Sequence, residues 1–588
     1  MVIEKINSPK DMKGLSLDEL NVLADEVREG VLNRVSNHGG HVGSNLGFTE
    51  ATVALHYVFD APEDKIVFDV SHQSYPHKML TGRKDGFLDA SRMDSISGYS
   101  SPLENPTYDN FEIGHTSTSI ALSSGLQKAR DLLGEKYNVV AVIGDGSLSG
   151  GEAFEGMNTV AETGSNFVLV LNDNEMSIAE NHGGMYKGLA ELRRTDGKAE
   201  NNLFKAMGFD YMYVADGNNV GKLVEAFKAV KDIDHPIVVH IHTEKGYGYA
   251  PAVADKERWH WNLPFDVETG KIKHPEAFAG EDIGNMIGEY LLEKAKVDER
   301  LLVVAAAVPA AMGLNKERRK QLGKHYVDVG IAEEEAVALA SGAAKGGAHV
   351  VFGTYATFVQ RTYDQLAQDL AVNGNPAVIN VFGSSVFGMN DFTHICFFDI
   401  AMLSHIPNLV YLAPTTWEEW KAMEDWAIEQ DRYSVAIRVP ANGVAHSSEA
   451  YDTDYSELDR YKVTHSGNTV AVIAVGDFFG KGEAVCKALA ADGIDATLIN
   501  PRFVSGTDEA LLEHLKGNHE LVVTIEDGTL DGGFGERVAR FYGPSNVKVL
   551  NFGVKKALYD RYDVNELLRD NHLTDEQIVE DIKKLLKK

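Results

Sequence analysis

The sequence predicts an α/β protein of three domains, each with a mostly parallel sheet flanked by helices. Apolar, β-branched runs recur along the chain, and helix-forming segments separate them. This alternation is typical of parallel sheets, because two parallel strands need a long crossover connection. A chain of 588 residues also exceeds the size at which single hydrophobic cores stop growing. We place the three domains at residues 1–278, 279–455 and 456–588.

The first domain shows the strand–helix–strand pattern most clearly. Residues 139–143 and 167–171 are uninterrupted apolar runs that predict buried parallel strands, and residues 153–161 between them predict a helix. A further strand is predicted at 236–242. The long polar, glycine-containing stretch at 181–202 predicts an excursion over the surface.

The same alternation continues through the second and third domains. Residues 445–456 are polar and separate the two. A helix is predicted near 280, at the start of the second domain, and two helices are predicted in the third domain, at 482–491 and 533–541. The predicted strands of these domains are 301–304, 349–353, 377–382, 434–439, 469–475, 496–499, 521–525 and 547–550.

Composition narrows the class of partner. The net charge is −31 and is spread along the chain, which argues against nucleic acid and against an anionic membrane surface. The two cysteines, Cys396 and Cys486, have no metal-binding spacing and are typical of reduced core thiols. No apolar run approaches the 18 residues of a membrane span, and the amino terminus has no signal-peptide pattern. We therefore expect a cytoplasmic protein.

Two polar clusters follow neighbouring predicted strands. Gly144, Asp145 and Gly146 end the first strand, and Asn174 follows the second. Ligands bind at the carboxyl ends of strands in open α/β sheets, and a carboxylate with an amide oxygen suits Mg²⁺, which keeps phosphate oxygens among its ligands. The alternative is ordinary turn chemistry, since Gly-Asp-Gly is common after strands.

Four histidines of the first domain lie beside glycines or turn residues, at predicted strand–helix junctions. Such junctions favour ligand contact, and the near-neutral pKa of imidazole suits proton transfer. A single histidine is more often structural, but four in similar positions are harder to explain that way. They are His41, His72, His77 and His115.

Several motifs together resemble one family over essentially the whole chain. They are the stretch from His41 to His77, Gly114-His-Thr-Ser-Thr-Ser119, Leu171-Asn-Asp-Asn-Glu-Met-Ser177, Lys245-Gly-Tyr-Gly-Tyr249, Pro501-Arg-Phe503 and Glu526-Asp-Gly528. The chain resembles the 1-deoxy-D-xylulose-5-phosphate synthases, which are transketolase-like thiamine-diphosphate enzymes. The resemblance implies a transketolase-like fold, thiamine diphosphate and Mg²⁺ as cofactors, pyruvate and an aldehyde as substrates, and a homodimer.

In the first domain, the resemblance implies a site for the diphosphate and its metal ion. Asp145, Asn174 and the carbonyl of Met176 would bind the metal. Other residues would contact the cofactor: His72, Gly144, Gly146, Ser147 and Lys245 near the diphosphate, and His41 and His115 near the reactive end. His260 occupies the position of an active-site histidine, and we assign His41 and His260 catalytic roles.

In the second domain, the resemblance implies the residue that activates the cofactor. Glu333 falls where the family places a glutamate beside the aminopyrimidine, and burial there would raise its pKa so that it shares a proton with the ring. The alternative is that Glu333, Glu334 and Glu335 are an ordinary acidic helix start. Phe358 would stack on the ring. Tyr355, Arg361 and His394 would contact substrate, and His394 would also be catalytic.

The resemblance weakens where the acceptor phosphate would bind. Gly383 and Ala441 stand where the family has arginines, and Gly388-Met-Asn-Asp391 shifts an aspartate by one place. An arginine fork is a strong phosphate contact that neither replacement can make. Arg361, Arg438 or backbone amides would then have to hold the phosphate. Three hypotheses remain: the synthase reaction, related chemistry with another donor or an unphosphorylated acceptor, and a non-catalytic relative.

Overall fold

The computed structural model describes residues 1–275, 281–448 and 450–587, and the chain divides into two compact units. The first unit is Met1–Ala279 with Gly330–Ala332, and the second is Gly280–Val329 with Glu333–Lys588. The predicted domain boundary between 278 and 279 lies outside the described residues. The limits proposed for the three domains therefore stay predictions.

The first unit contains a five-stranded sheet in which all neighbouring strands are parallel. Residues that alternate along its inner strands fill two cores, one on each face, as expected of a sheet covered by helices on both sides. A short antiparallel pair, Gly40–His41 with Trp261–Asn262, lies outside this sheet. In spatial order the five strands are Lys65–Phe68, Val139–Gly144, Phe167–Asp173, Pro236–His242 and Asp210–Val214.

Helices of the first unit include the predicted crossover, which runs from Gly151 to Thr163. A helix at Met185–Arg194 corrects the surface excursion predicted for 181–202, because Leu189 and Leu192 are buried in the core. The α-helices are Leu17–His38, Gly43–Gly47, Thr49–Val58, Tyr75–Lys78, Asp85–Leu88, Ser119–Leu133, Gly151–Thr163, Met185–Arg194, Leu203–Met207, Val220–Val230 and Ala250–Ala254.

The second unit contains two further sheets, which confirms the predicted α/β class with three mostly parallel sheets. The six-stranded sheet is parallel throughout. In spatial order its strands are Leu409–Leu412, Ser434–Val439, Ala377–Phe382, His349–Tyr355, Leu301–Ala305 and Tyr326–Asp328. The five-stranded sheet is Lys462–His465, Thr497–Asn500, Thr469–Ala474, His519–Thr529 and Lys548–Val554, with only its first strand antiparallel.

One hydrophobic core joins the two sheets of the second unit. It includes Phe352 and Ile379 of the six-stranded sheet and Ile473 and Val522 of the five-stranded sheet. The α-helices of this unit are Ile283–Val297, Lys316–Leu322, Glu333–Lys345, Ala356–Val359, Asp399–Leu403, Trp417–Glu429, Phe479–Ala491, Glu509–Leu515, Phe534–Tyr542, Val564–Asp570 and Asp575–Leu586. None of the described helices has the length and hydropathy of a bilayer span.

Candidate active site

Strand pairing brings Asp145 and Asn174 to the same edge of the first unit's sheet. Gly144 is paired with Asn172 across two parallel strands, and the Asp145 N–H donates to the Asn172 carbonyl at 3.1 Å. The side chains of Asp145 and Asn174 are both buried. The predicted arrangement of these two residues at adjacent strand ends is therefore present.

Gly146 allows the loops after the two strands to approach each other. A Cβ atom added at Gly146 would lie 2.9 Å from the Cα of Ser177, which is closer than side chains pack. Next to this contact, the Met176 N–H donates to Asn174 Oδ1 at 3.1 Å. A glycine at 146 is thus required by backbone approach at the edge where a phosphate group would bind.

The Asp145 carboxylate has an unsatisfied oxygen. Its Oδ2 accepts a hydrogen bond from Asn181 Nδ2 at 2.6 Å, whereas its buried Oδ1 has no hydrogen-bond partner among the described residues. Burial, and then the nearby charge of Asp173, raise the pKa of Asp145. A buried carboxylate in this state is stabilised by a cation, so these residues fit a bound divalent metal.

Asp173 is near enough to Asp145 to affect its pKa, but its own carboxylate is already paired with other side chains. It accepts from Arg193 Nη1 at 2.5 Å and contacts His240 Nε2 at 2.9 Å. Although burial raises the pKa of Asp173, the contacts with His240 and Arg193 hold it below its usual value. The two neighbouring carboxylates therefore differ, and only Asp145 has an oxygen left for a metal.

No group of three or more His, Cys, Asp or Glu side chains is arranged to hold a metal within the part of the chain that the structure describes. A site at Asp145 would thus contain a single charged side-chain ligand. Mg²⁺ is commonly bound in this way, by one or two carboxylates together with phosphate oxygens of a ligand. The donor set fits a metal that binds with a diphosphate.

Lys245 follows the strand Pro236–His242 and is buried. Its Nζ donates to the Ser177 carbonyl at 2.6 Å, which brings the lysine to the loop after Asn174. Burial lowers the pKa of Lys245 to about 7, and the Asp145 carboxylate partly opposes that effect. An anionic ligand here would favour the charged form of the lysine.

Three predicted histidines form a compact group, the histidine cluster of His41, His72 and His260. Their ring centroids are 5.0 Å apart for His41 and His72, 5.4 Å for His41 and His260, and 5.3 Å for His72 and His260. Each Nδ1 is buried and has no hydrogen-bond partner among the described residues. Burial lowers the pKa of each ring, to about 3 for His72. The rings are therefore neutral near pH 7, and a neutral imidazole has one nitrogen that accepts a hydrogen bond and one N–H that donates.

The segment that carries His115 is anchored to the end of the strand Lys65–Phe68. The N–H groups of Ser117 and Ser119 donate to the buried Asp69 carboxylate at 2.8 and 2.9 Å. Ser117 Oγ donates to the Ser147 carbonyl at 2.7 Å, which links this segment to the Gly144–Ser147 turn. His115 itself is half-buried. The sequence interpretation missed Asp69, although it directly follows an apolar strand.

His77 has a structural environment, unlike the histidine cluster. One ring nitrogen contacts His56 at 2.8 Å and the other contacts Asp109 at 2.7 Å, and all three side chains are buried. Asp109 also accepts two hydrogen bonds from Arg83, at 2.6 and 2.9 Å. Both ring nitrogens of His77 are thus occupied within the protein.

Glu333 begins a helix of the second unit, Glu333–Lys345, and is buried there. Burial raises the pKa of Glu333 to about 7, and the Arg361 charge, with Nη1 at 3.9 Å from Oε2, opposes the rise. Glu335, two residues later, is exposed. Glu333 therefore differs from an ordinary acidic helix start and is suited to share a proton near neutral pH.

Aromatic residues predicted to contact ligand are neighbours in the second unit. The ring centroids of Tyr355 and Phe358 are 6.1 Å apart, and those of Phe358 and His394 are 5.7 Å apart. Gly383 adjoins this group, because a Cβ added there would lie 3.7 Å from Tyr355 Cδ1. Of the residues expected to contact substrate, Tyr355 thus lies next to the position of one missing arginine.

Arg438 is not available as a phosphate ligand, which corrects one option left open by the sequence. It is buried and pairs with Asp399 at 2.8 Å and with Asp527 at 2.5 Å. The Ala441 N–H donates to Asp477 Oδ2 at 2.9 Å, so this backbone amide is also occupied. Of the two arginines considered, Arg361 remains as a candidate.

Comparison with known proteins gives the family. The family model described as 1-deoxy-D-xylulose-5-phosphate synthase matches residues 3–200 and 195–243. The pyrimidine-binding domain of transketolase matches 281–445, and the C-terminal domain of transketolase matches 459–578. The curated 1-deoxy-D-xylulose-5-phosphate synthase of Alkaliphilus oremlandii (strain OhILAs) is 36% identical, over 99% of this chain and 98% of its own length. The chain belongs to the 1-deoxy-D-xylulose-5-phosphate synthase family.

Other relatives agree with this family assignment. The synthase of Clostridium tetani (strain Massachusetts / E88) is 35% identical over 99% of both chains. The protein named 1-deoxy-D-xylulose-5-phosphate synthase 2 of Geobacter sulfurreducens (strain ATCC 51573 / DSM 12127 / PCA) is 37% identical over 96% of both. The 1-deoxy-D-xylulose-5-phosphate synthase family consists of transketolase-like transferases that depend on thiamine diphosphate and act on small molecules.

Proposed function

We propose that this protein condenses pyruvate with glyceraldehyde 3-phosphate to give 1-deoxy-D-xylulose 5-phosphate and CO₂. The observation that carries the proposal is the near full-length similarity to curated synthases, 36% identity over 99% of the chain. Thiamine diphosphate, when bound, supplies the carbon nucleophile for decarboxylation and two-carbon transfer. The protein supplies binding, orientation and proton transfer.

The first unit would hold the diphosphate and its metal ion. Asp145, Asn174 and the Met176 carbonyl would bind Mg²⁺, and the unsatisfied Asp145 Oδ1 supports this role. The turn Gly144–Ser147, together with Lys245 and His72, would contact the diphosphate. In this arrangement the cation and Lys245 would offset the charge of the diphosphate, in a protein whose net charge is −31.

The remaining first-unit histidines would serve the reaction itself. His41, His115 and His260 would lie near the reactive end of the cofactor, where we assign His41 and His260 catalytic roles. Burial lowers the pKa of both rings and keeps them neutral. Each neutral ring would therefore offer one nitrogen as a hydrogen-bond acceptor and one N–H as a donor to the reacting groups.

The second unit would bind the aminopyrimidine. Glu333 would share a proton with the ring, and Phe358 would stack on it. The raised pKa of Glu333, about 7, supports its role as the proton partner. In the first unit, the Ile331 N–H donates to Ser149 Oγ at 3.1 Å, and Glu333 follows two residues later in the sequence.

Substrate would be bound by Tyr355, Arg361 and His394, with Arg361 as the cation for the acceptor phosphate. The alternative function, with another donor or an unphosphorylated acceptor, started from Gly383 and Ala441. The relatives do not favour it, since those that match nearly the whole chain have the synthase name. An intact Glu333, Asp145 and Asn174 also argue against a non-catalytic relative.

We also propose the three domain limits 1–278, 279–455 and 456–588, a homodimer and a cytoplasmic location. Transketolase-like enzymes bind their cofactor between two α/β domains and are usually dimers, which supports the homodimer. The free cysteines Cys396 and Cys486 support the cytoplasmic location, because reduced thiols are usual in the cytosol.

A product analysis tests the proposed function. Purified protein with thiamine diphosphate, Mg²⁺ and ¹³C-labelled pyruvate is incubated with glyceraldehyde 3-phosphate or with unphosphorylated glyceraldehyde, and products are identified by NMR. We expect 1-deoxy-D-xylulose 5-phosphate as the main product and a higher kcat/KM for the phosphorylated aldehyde. Turnover of unphosphorylated glyceraldehyde, with no turnover of glyceraldehyde 3-phosphate, would overturn the proposal.

A further inference from the structure

The segment Asn181–Arg194, here called the clamp segment, folds back onto the strand ends of the first unit. Asn181 Nδ2 donates to Asp145 Oδ2 at 2.6 Å, and Tyr186 Oη donates to the Asp145 carbonyl at 3.1 Å. Arg193 pairs with Asp173 at 2.5 Å and with Glu175 at 3.1 Å. The clamp segment thus contacts both the side chain and the main chain of Asp145.

The contact with Asn181 makes the two carboxylate oxygens of Asp145 differ in hydrogen bonding. Oδ2 is occupied by the amide N–H, whereas Oδ1 has no donor among the described residues. A carboxylate held in one rotamer loses less conformational freedom when it binds a cation. Neighbours that orient a ligand in this way strongly affect metal affinity.

The orientation of the Asn181 amide follows from Asp145. If the amide were rotated by 180°, Oδ1 and not Nδ2 would lie near Asp145 Oδ2, and two acceptors would repel each other. The buried Asn181 Oδ1 has no hydrogen bond within the described parts of the chain, so no other described contact fixes the amide. The donor role of Asn181 toward Asp145 is therefore the one function its contacts explain.

We infer that Asn181 is a positioning residue for the divalent-metal site, holding Asp145 so that its free oxygen binds the cation. The clamp segment supports this role: Tyr186 contacts the Asp145 main chain, and Arg193 connects the helix Met185–Arg194, here called the clamp helix, to Asp173. Because Arg193 and His240 occupy the Asp173 carboxylate, the cation would bind Asp145 and not both carboxylates. This inference rests on the proposed function of the first unit.

Mn²⁺ affinity measured by EPR, in the presence of saturating thiamine diphosphate, tests the inference. Asn181→Ala removes the donor and is expected to weaken Mn²⁺ binding by about 10-fold or more. Asn201→Ala is the matched control, since Asn201 is exposed at the end of the same polar stretch. Tyr186→Phe removes only the main-chain contact and is expected to have a smaller effect than Asn181→Ala.

Two further measurements separate positioning from simple loss of structure. The melting temperature of the metal-free Asn181→Ala protein is expected to match that of Asn201→Ala, while the apparent Kd for Mn²⁺ differs between the two. Equal Mn²⁺ affinity in both variants would overturn the inference. Asp145→Asn distinguishes an error about Asn181 from an error about the metal site: if Asp145→Asn also leaves Mn²⁺ binding unchanged, the proposed metal site itself is wrong.

Discussion

Glu333, Glu334 and Glu335 have the same functional group in one helical turn, yet their environments differ. Glu333 is buried, with a pKa raised to about 7, whereas Glu335 is exposed. The Arg361 guanidinium at 3.9 Å limits the rise in pKa without forming a close pair. Burial, partly opposed by this cation, gives a carboxyl group that can exchange a proton near neutral pH.

Substitution of Arg361 tests this balance. Arg361→Met removes the positive charge that lowers the Glu333 pKa, so the pH limb of kcat/KM that belongs to Glu333 is expected to move to higher pH. The measurement is a pH–rate profile from pH 5.5 to 9. Arg432→Met, at an exposed arginine of the same unit, is expected to leave the profile unchanged. A limb that stays in place or moves to lower pH would contradict the assignment.

At the residue scale, the sequence predicts which residues lie at the ends of strands better than it predicts which side chains they contact. Asp145 and Asn174 are predictable because each follows an apolar run. The two runs are close in the sequence, so the strands that they form are expected to be neighbours. Asn181 and Asp173 are not predictable, since their significance depends on contacts 36 and 67 residues away in sequence, with Asp145 and His240. Polar residues after a strand are common, and only tertiary structure identifies which are paired.

At the scale of secondary structure, the inner strands of the three large sheets were predicted and most of the edge strands were not. Inner strands are buried on both faces and form continuous apolar runs. Edge strands are shorter or more polar, because one side of the backbone faces away from the sheet. The unpredicted strands all lie at sheet edges: Lys65–Phe68, Asp210–Val214, Tyr326–Asp328, Leu409–Leu412 and Lys462–His465.

The clamp helix Met185–Arg194 shows the corresponding limit for helices. Leu189 and Leu192 are buried in the core, and Met185 and Tyr186 pack partly buried against it. The apolar spacing is helical, but it extends over one short helix between polar, glycine-containing residues, and this makes it easy to mistake for a polar loop. The contacts of Arg193 with Asp173 and Glu175 supply additional interactions that no local pattern indicates.

The helix Trp417–Glu429 contains a buried acid that should make stability depend on pH. Burial raises the pKa of Glu424 to about 8, and Asn380 Nδ2 donates to it at 2.9 Å. Because the folded-state pKa is above the unfolded value, the stabilisation is complete below about pH 4.5 and is lost as pH rises through 8.

Glu424→Gln removes that titration. We expect the melting temperature of the variant to rise relative to the native protein between pH 5 and 8, with a change in relative stability of at most about 1.4 kcal/mol per pH unit. Glu429→Gln, at an exposed position of the same helix, is the control and is expected to show no such trend. A constant difference between Glu424→Gln and native protein would contradict the buried titration.

At the scale of the whole molecule, three large, mostly parallel sheets are distributed over two compact units. The second unit contains two of them because Phe352, Ile379, Ile473 and Val522 belong to one continuous core. The sequence predicts three domains from strand–helix alternation, but it cannot show which sheets share a core, since that depends on packing between distant segments.

The net charge of −31 requires that anionic ligands be held by local cations and backbone amides.

The proposed function requires that Glu333 activate bound thiamine diphosphate. The most direct measurement is the rate of deuterium exchange at the C2 position of bound thiamine diphosphate, by acid quench and NMR. Glu333→Gln should slow exchange by about 10²- to 10⁴-fold at unchanged cofactor occupancy, and Glu335→Gln should not. Equal exchange rates in native protein and Glu333→Gln would contradict the account.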